Sequence, residues 1–131
     1  MFTSMFSILS TRDLPRLLDF YVTALDAKVA YQFPDDGDAV FISVDVAGSH
    51  LGLGADQQAG EVDAAQRAAL WLYADSCDEA VDRLVAHGAT VLTAPEDMPW
   101  GERVADVRDP DGNLLHIGQQ LSQGPEDGPA G

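Results

Sequence analysis

The sequence predicts an α+β fold built from two βαβββ modules, and three observations carry that expectation. The order strand, helix, three strands can be read twice, with an offset of about 64 residues. On that offset Gly48 matches Gly112, Ser49 matches Asn113, Leu51 matches Leu115 and Leu53 matches Ile117. Each copy also carries a turn before its last strand: Ala47-Gly48-Ser49 in the first, Asp109-Pro110-Asp111-Gly112-Asn113 in the second. The modules fall at about residues 4–54 and 69–119, within one domain of residues 1–120. A chain of 131 residues is long enough for a real core but not for two independent domains.

Residues 4–10 (SMFSILS) are apolar enough for a strand. Asp13 is an N-cap and Pro15 suits a first helical turn. Leu14, Leu17, Leu18, Tyr21 and Leu25 recur at helical spacing, so one face is apolar and the helix ends near Leu25 or Asp26. Residues 28–33 read as a strand, and residues 34–38 (PDDGD) as a turn. Residues 39–46 are rich in Val, Ile and Phe and form a third strand, and 50–54 a fourth. Residues 56–67 are a polar, Ala-rich connector, with room for a short helical turn. A fifth strand at 69–74 precedes a helix that starts between Ser76 and Asp78, buries Ala80, Val81, Leu84 and Val85, and stops at Gly88. Residues 89–94 are a sixth strand. The last two strands flank Asp-Pro-Asp-Gly-Asn, where Pro presets φ, Asp and Asn bond the local backbone and Gly accepts a positive φ. The Pro- and Gly-rich residues 121–131 read as a disordered tail.

Composition narrows the function. Twenty-two acidic against seven basic residues give a net charge of −15. That argues against nucleic acid, whose phosphates need a basic surface, and would raise the local concentration of a cationic ligand; it also serves solubility. No apolar run spans a bilayer, and the start shows no secretory signal. The single cysteine, Cys77, permits no internal disulfide, which fits a cytoplasmic location. Cys77 reads as a small buried residue, and His87 as a helix-end charge.

In each module one sheet face must cover the helix, leaving the other free to line a cavity. Leu51, Leu53, Leu70, Leu72, Leu115 and Ile117 sort onto the helix side. Phe6, Ile8, Phe41, Ser43, Asp45, His50, Gly52, Gly54, Ala69, Trp71, Tyr73, Leu114, His116 and Gly118 sort onto the other. Aromatic, small and a few polar residues together are the composition of a small-molecule pocket, although the same face can serve as a core or a dimer contact.

Three stretches make the chain resemble the vicinal oxygen chelate superfamily of glyoxalase, bleomycin-resistance and extradiol dioxygenase proteins. They are Thr11-Arg12-Asp13-Leu14-Pro15-Arg16-Leu17-Leu18-Asp19-Phe20-Tyr21 with Ala24-Leu25; residues 80–88 before a strand; and Trp100-Gly101-Glu102-Arg103 with Asp109-Pro110-Asp111-Gly112-Asn113. The resemblance implies a curved mixed sheet around a cavity, and a homodimer. It also implies four metal-ligand positions, which fall at Phe6, Gly52, Ala69 and His116, within one residue. Only His116 can bind a metal, and a catalytic ion needs about three protein ligands. His50 and Asp45 are the remaining candidates to join it; Glu102, expected to be exposed in a hairpin, is not.

With the ligand set reduced, the resemblance is nearest the bleomycin-resistance-like, drug-binding branch. It implies a cofactor-free protein that sequesters an aromatic natural product, cationic ones included, at a dimer interface. Trp100, Trp71, Phe41, Phe33, Tyr73, Phe6, His50, His116 and Arg103 are the expected ligand-binding residues, and Trp100 leads because it sits at the mouth of the hairpin. Two alternatives stay open: a metal-dependent lyase or isomerase using His50 and His116, and a metal-free biosynthetic enzyme in which Asp45, Arg103 or His116 moves protons on a polyketide-like substrate.

Overall fold

The computed structural model describes residues 1, 4–60 and 68–121. The chain divides into two compact units, Met1–Glu61 and Val62–Gly131, and the repeat is visible in their topology. The first holds β1 (Ser7–Thr11), α1 (Leu14–Leu25), β2 (Lys28–Phe33), β3 (Phe41–Val46) and β4 (Ser49–Ala55). The second holds β5 (Leu70–Tyr73), α2 (Cys77–Ala86), β6 (Thr90–Asp97), β7 (Glu102–Arg108) and β8 (Leu114–Gln120). Each unit has one four-stranded mixed sheet, in the orders β1-β4-β3-β2 and β5-β8-β7-β6. β1 runs parallel to β4 and β5 parallel to β8, and all other pairs are antiparallel.

α1 starts as its capping residue dictates. Asp13 Oδ1 accepts the Arg16 N–H at 3.1 Å, and Pro15 lies in the first turn. Leu14, Leu17, Phe20, Tyr21 and Ala24 are its buried face. Phe20 and Ala24 thus take places that the spacing assigned to Leu18 and Leu25, which are only partly covered. α2 is capped by Ser76, whose Oγ accepts the Glu79 N–H at 3.2 Å. It buries Cys77, Val81 and Leu84 at i, i+4 and i+7, while Val85, expected inside, is 45% exposed. Against these helices lie Val44, Leu51 and Leu53 in the first unit, and Ala105, Val107, Leu115 and Ile117 in the second, all nearly inaccessible.

The strand bounds differ most from the expected ones in β1 and β6. β1 starts at Ser7, so Phe6 lies outside it. β6 continues through Pro95 to Asp97. It can, because β6 is the edge of its sheet and its register shifts between Val91 and Thr93 and again before Glu96, where a missing N–H costs no ladder bond. The Asp-Pro-Asp-Gly-Asn turn closes β7 onto β8 as read. Asp109 Oδ1 accepts the N–H groups of Asp111 and Asn113, and Oδ2 accepts the Asn113 side chain, each at 2.9 Å. Of the connector, Asp56 donates its N–H to the Thr11 carbonyl at 2.8 Å, and residues 61–67 lie outside the described residues. Leu121 donates to the Gly101 carbonyl at 3.0 Å, so the tail begins on an anchored residue; residues 122–131 lie outside the described residues. No helix among the described residues is long and apolar enough to cross a membrane.

Candidate functional site

In the second unit, strand register sets the open face. Trp71 pairs with His116, and His116 with Asp106; Tyr73 pairs with Gly118, Gly118 with Val104, and Gln120 with Glu102. Since paired residues share a face, Glu102, Val104 and Asp106 project with Trp71, Tyr73 and His116, away from α2. His116 Nδ1 lies 2.6 Å from Asp106 Oδ1. A carboxylate there favours the tautomer with the proton on Nδ1, leaving Nε2 to meet a ligand. The Trp71 ring lies 5.3 Å from the His116 ring and 5.9 Å from that of Tyr73. Gly118 leaves room for this tilted packing: a Cβ there would come within 3.1 Å of Trp71 Nε1 and 3.2 Å of the Tyr73 ring.

Trp100 follows Pro99 in the turn that joins β6 to β7, and its indole Nε1 donates to Glu102 Oε1 at 2.8 Å. Glu102 is only 2% exposed, contrary to the expectation of a solvated hairpin residue, because its strand position points it under the aromatic side chains. Its Oε2 is buried without a partner, as is Trp71 Nε1 by ordinary hydrogen-bond geometry. The Tyr73 hydroxyl senses both groups. Burial first, then the neighbouring Glu102 carboxylate, raise its pKa, and the Trp71 N–H works in the opposite direction.

Arg103 is the site residue whose expected place changes most. Adjacent strand residues point to opposite faces, so the side chain between Glu102 and Val104 turns toward α2. There its Nε donates to Asp78 Oδ1 and its Nη1 to Asp97 Oδ1, both at 2.8 Å. Asp78 first and Asp97 second hold the guanidinium protonated, raising its pKa. Cys77, at the start of α2, donates its N–H to Gln119 Oε1 at 2.8 Å, and its thiol faces the Ile117 carbonyl at 3.4 Å. Burial chiefly, then Asp78, push that thiol pKa up, which is the behaviour of a packing residue.

The first unit brings together a more apolar set. Phe33 pairs with Phe41, Tyr31 with Ser43, and Ser43 with Gly52. The Phe41 ring lies over Gly52, where a Cβ would meet it at 2.9 Å, and 6.3 Å from the Tyr31 ring. Phe6, Ile8, Tyr31 and Phe33 are each more than half exposed. His50 pairs with Asp45 across the strands, but Asp45 Oδ1 is occupied by the Gly48 N–H at 2.9 Å. On the helix side a cleft of about 410 Å³ opens at the start of α1, lined by Arg12, Leu14, Ala39, Ile42 and Gln57 among others; it holds none of the expected site residues.

The family's metal set does not fit these residues. Register places Ile8, not Phe6, opposite Gly52, and Trp71, not Ala69, opposite His116. The described residues contain no group of three His, Cys, Asp or Glu side chains placed to hold an ion. Sequence reasoning passed over Asp106, yet its signal was present. Once the Asp-Pro-Asp-Gly-Asn turn fixes the hairpin register, the residue opposite His116 follows.

The sequence profile described as glyoxalase/bleomycin resistance protein/dioxygenase superfamily matches residues 5–117. The chain belongs to this superfamily. It is 30% identical over 120 residues to an uncharacterized protein of Mycobacterium tuberculosis, a match covering 85% of this chain and 71% of that protein. Among solved structures, TioX from Micromonospora sp. ML1 is 24% identical with a TM-score of 0.72, covering 91% of this chain and 99% of TioX. The fosfomycin resistance protein FosX from Listeria monocytogenes is 17% identical with a TM-score of 0.71, covering 91% and 94%. These two likenesses carry the fold alone. The superfamily match supports the whole of the βαβββ reading and leaves the branch within it open.

Proposed function

We propose that this protein binds and sequesters an aromatic natural product without altering it, in a pocket that a second copy of the chain completes. The observation that carries the reading is the aromatic array of Trp71, Tyr73 and Trp100 on one sheet face, with Trp71 and Tyr73 packed over Gly118. Trp100 is 38% exposed, with its N–H held by Glu102, which leaves part of its ring surface for a planar ligand. The half-exposed Phe6, Ile8, Tyr31 and Phe33 support a role for the first unit's face in contact with the ligand or the second copy. One structural neighbour, FosX, is a fosfomycin resistance protein, so the same fold serves antibiotic resistance elsewhere. The buried Cys77 thiol suits the reducing cytoplasm.

A thermal-shift screen of metal-stripped protein against planar aromatic antibiotics tests the reading, since ligand binding raises the melting temperature by mass action. Trp100→Ala weakens such a ligand about tenfold or more, as an anchor residue contributes about 2 kcal/mol. Unchanged affinity would end the stacking role, and a concentration-independent monomer in light scattering would end the shared pocket. One observation favours a second reading. The His116–Asp106 pair, at 2.6 Å, has the form of an oriented general base, which a metal-free biosynthetic enzyme would use. Mass spectrometry of the recovered ligand separates the two: sequestration returns it unchanged.

A further inference from the structure

We infer that Glu102 is the seat for a protonated amine on the bound ligand. The inference rests on the sequestration reading and adds the chemistry of one end of the ligand. Glu102 is the most deeply buried acidic side chain among the described residues, and among them no basic side chain pairs with it. Arg103, its neighbour in sequence, faces α2 and is engaged by Asp78 and Asp97. Arg108 donates to the Gly112 carbonyl at 2.7 Å, and His116 faces Asp106. The carboxylate therefore meets neutral donors alone, the Trp100 indole on Oε1 and the neighbouring Tyr73 hydroxyl, and its Oε2 has no partner by ordinary hydrogen-bond geometry. A half-satisfied buried carboxylate is costly, and such a group calls for a missing partner.

What surrounds Glu102 selects that partner. Tyr73 feels the carboxylate, Trp100 is bonded to it, and Trp71 stands beside Tyr73. Aromatic rings attract cations, and aromatic side chains beside a carboxylate suit an ammonium group. One carboxylate among rings is a poor donor set for a metal ion. An anion would meet Glu102 and Asp106 on the same face. The surplus of acidic residues, 22 against 7, steers a cation inward. Tyr73 and Trp100 are 51% and 38% exposed, so a ligand reaches Oε2 by turning surface rings rather than by moving a strand.

The chain has only two tryptophans, so their indole N–H resonances report on this site directly. The full-length protein is titrated with 2-phenylethylammonium and with its neutral analogue 2-phenylethanol. The ammonium shifts the indole resonances and binds about tenfold more tightly than the alcohol, as a charge-assisted bond requires. Glu102→Gln removes that preference. Equal binding of the two probes, binding of neither, or a preference that survives in Glu102→Gln overturns the inference. If Glu102→Gln does not fold, the ratio of the two probes on the native protein still decides. Phenazine, planar and uncharged, separates the two claims. If it binds through Trp100 while the ammonium shows no advantage, sequestration stands and the amine seat falls. The reverse pattern keeps the seat and removes planar-ligand sequestration.

Discussion

The two modules share a backbone plan and differ on the face their helices do not cover. In the first, one row across the sheet reads Ile8, Gly52, Ser43, Tyr31 and the next Ser10, Gly54, Phe41, Phe33. In the second, the matching rows read Trp71, His116, Asp106, Thr93 and Tyr73, Gly118, Val104, Glu96. Gly54 and Gly118 occupy the same place in these rows. A Cβ at Gly54 would meet only Ile8, at 3.6 Å, whereas at Gly118 it would press into Trp71 and Tyr73. The helix-side leucines, valines and isoleucines repeat because a packed core demands them in either half. The open faces have diverged, one toward apolar contact and one toward a His–Asp pair and a buried carboxylate. A duplicated scaffold can thus carry its chemistry in one half alone.

The turns before the last strands extend the comparison into energetics. Asp109 is buried and accepts three hydrogen bonds, whereas Asp45 accepts one from Gly48 at the surface. Asp109→Ala should therefore destabilise the protein by about 3 kcal/mol, because it leaves buried donors without acceptors. Asp45→Ala should cost less than about 1 kcal/mol. Urea unfolding of the two variants checks this, and equal losses would mean that the modules tolerate turn damage alike.

A smaller effect sharpens the polar character of the second face. The fold raises the Tyr73 pKa above 10.0, through burial first and the Glu102 carboxylate second. A raised phenol pKa means that the folded state favours the neutral form. Its contribution to stability is present below the unfolded pKa and is lost as pH rises through the folded one. Glu102→Gln removes the charge and lowers the Tyr73 pKa toward its ordinary value. The Cζ resonance of Tyr73 followed against pH reads this; an unmoved titration would show that burial alone sets the value.

Much of this was legible in the chain. Helical spacing, Asp13, Ser76 and the Asp-Pro-Asp-Gly-Asn turn act through neighbours in sequence, so each element could be placed from its own residues. Alternation also told the two sheet faces apart, and put Trp71, Tyr73, His116 and Gly118 together. What alternation does not report is depth. Glu102 shares the parity of Val104 and Asp106, yet it is nearly inaccessible, with Trp100 reaching it from a turn and Tyr73 from another strand. That Ile8 pairs with Gly52 and Trp71 with His116 was not legible, because a parallel pairing is fixed by the crossover, not by a local turn.

Arg103 supplies the weakest expected effect and the sharpest test of face assignment. Arg103 stands in the Trp100-Gly101-Glu102-Arg103 stretch and was expected among the ligand-binding residues. The strand places it on the opposite side, bound to two carboxylates that are themselves more than half exposed. Exposed pairs of this kind contribute little and are screened by salt. Arg103→Ala should thus lower the unfolding midpoint slightly at low ionic strength, with the difference shrinking as salt is added. Affinity for an aromatic ligand should stay within about twofold of the native protein, since removing this pair disturbs neither Trp100 nor the open face. A loss of binding comparable to that of Trp100→Ala would mean that Arg103 leaves Asp78 and Asp97 when ligand arrives, and that the two faces of β7 are not as separate as their alternation makes them.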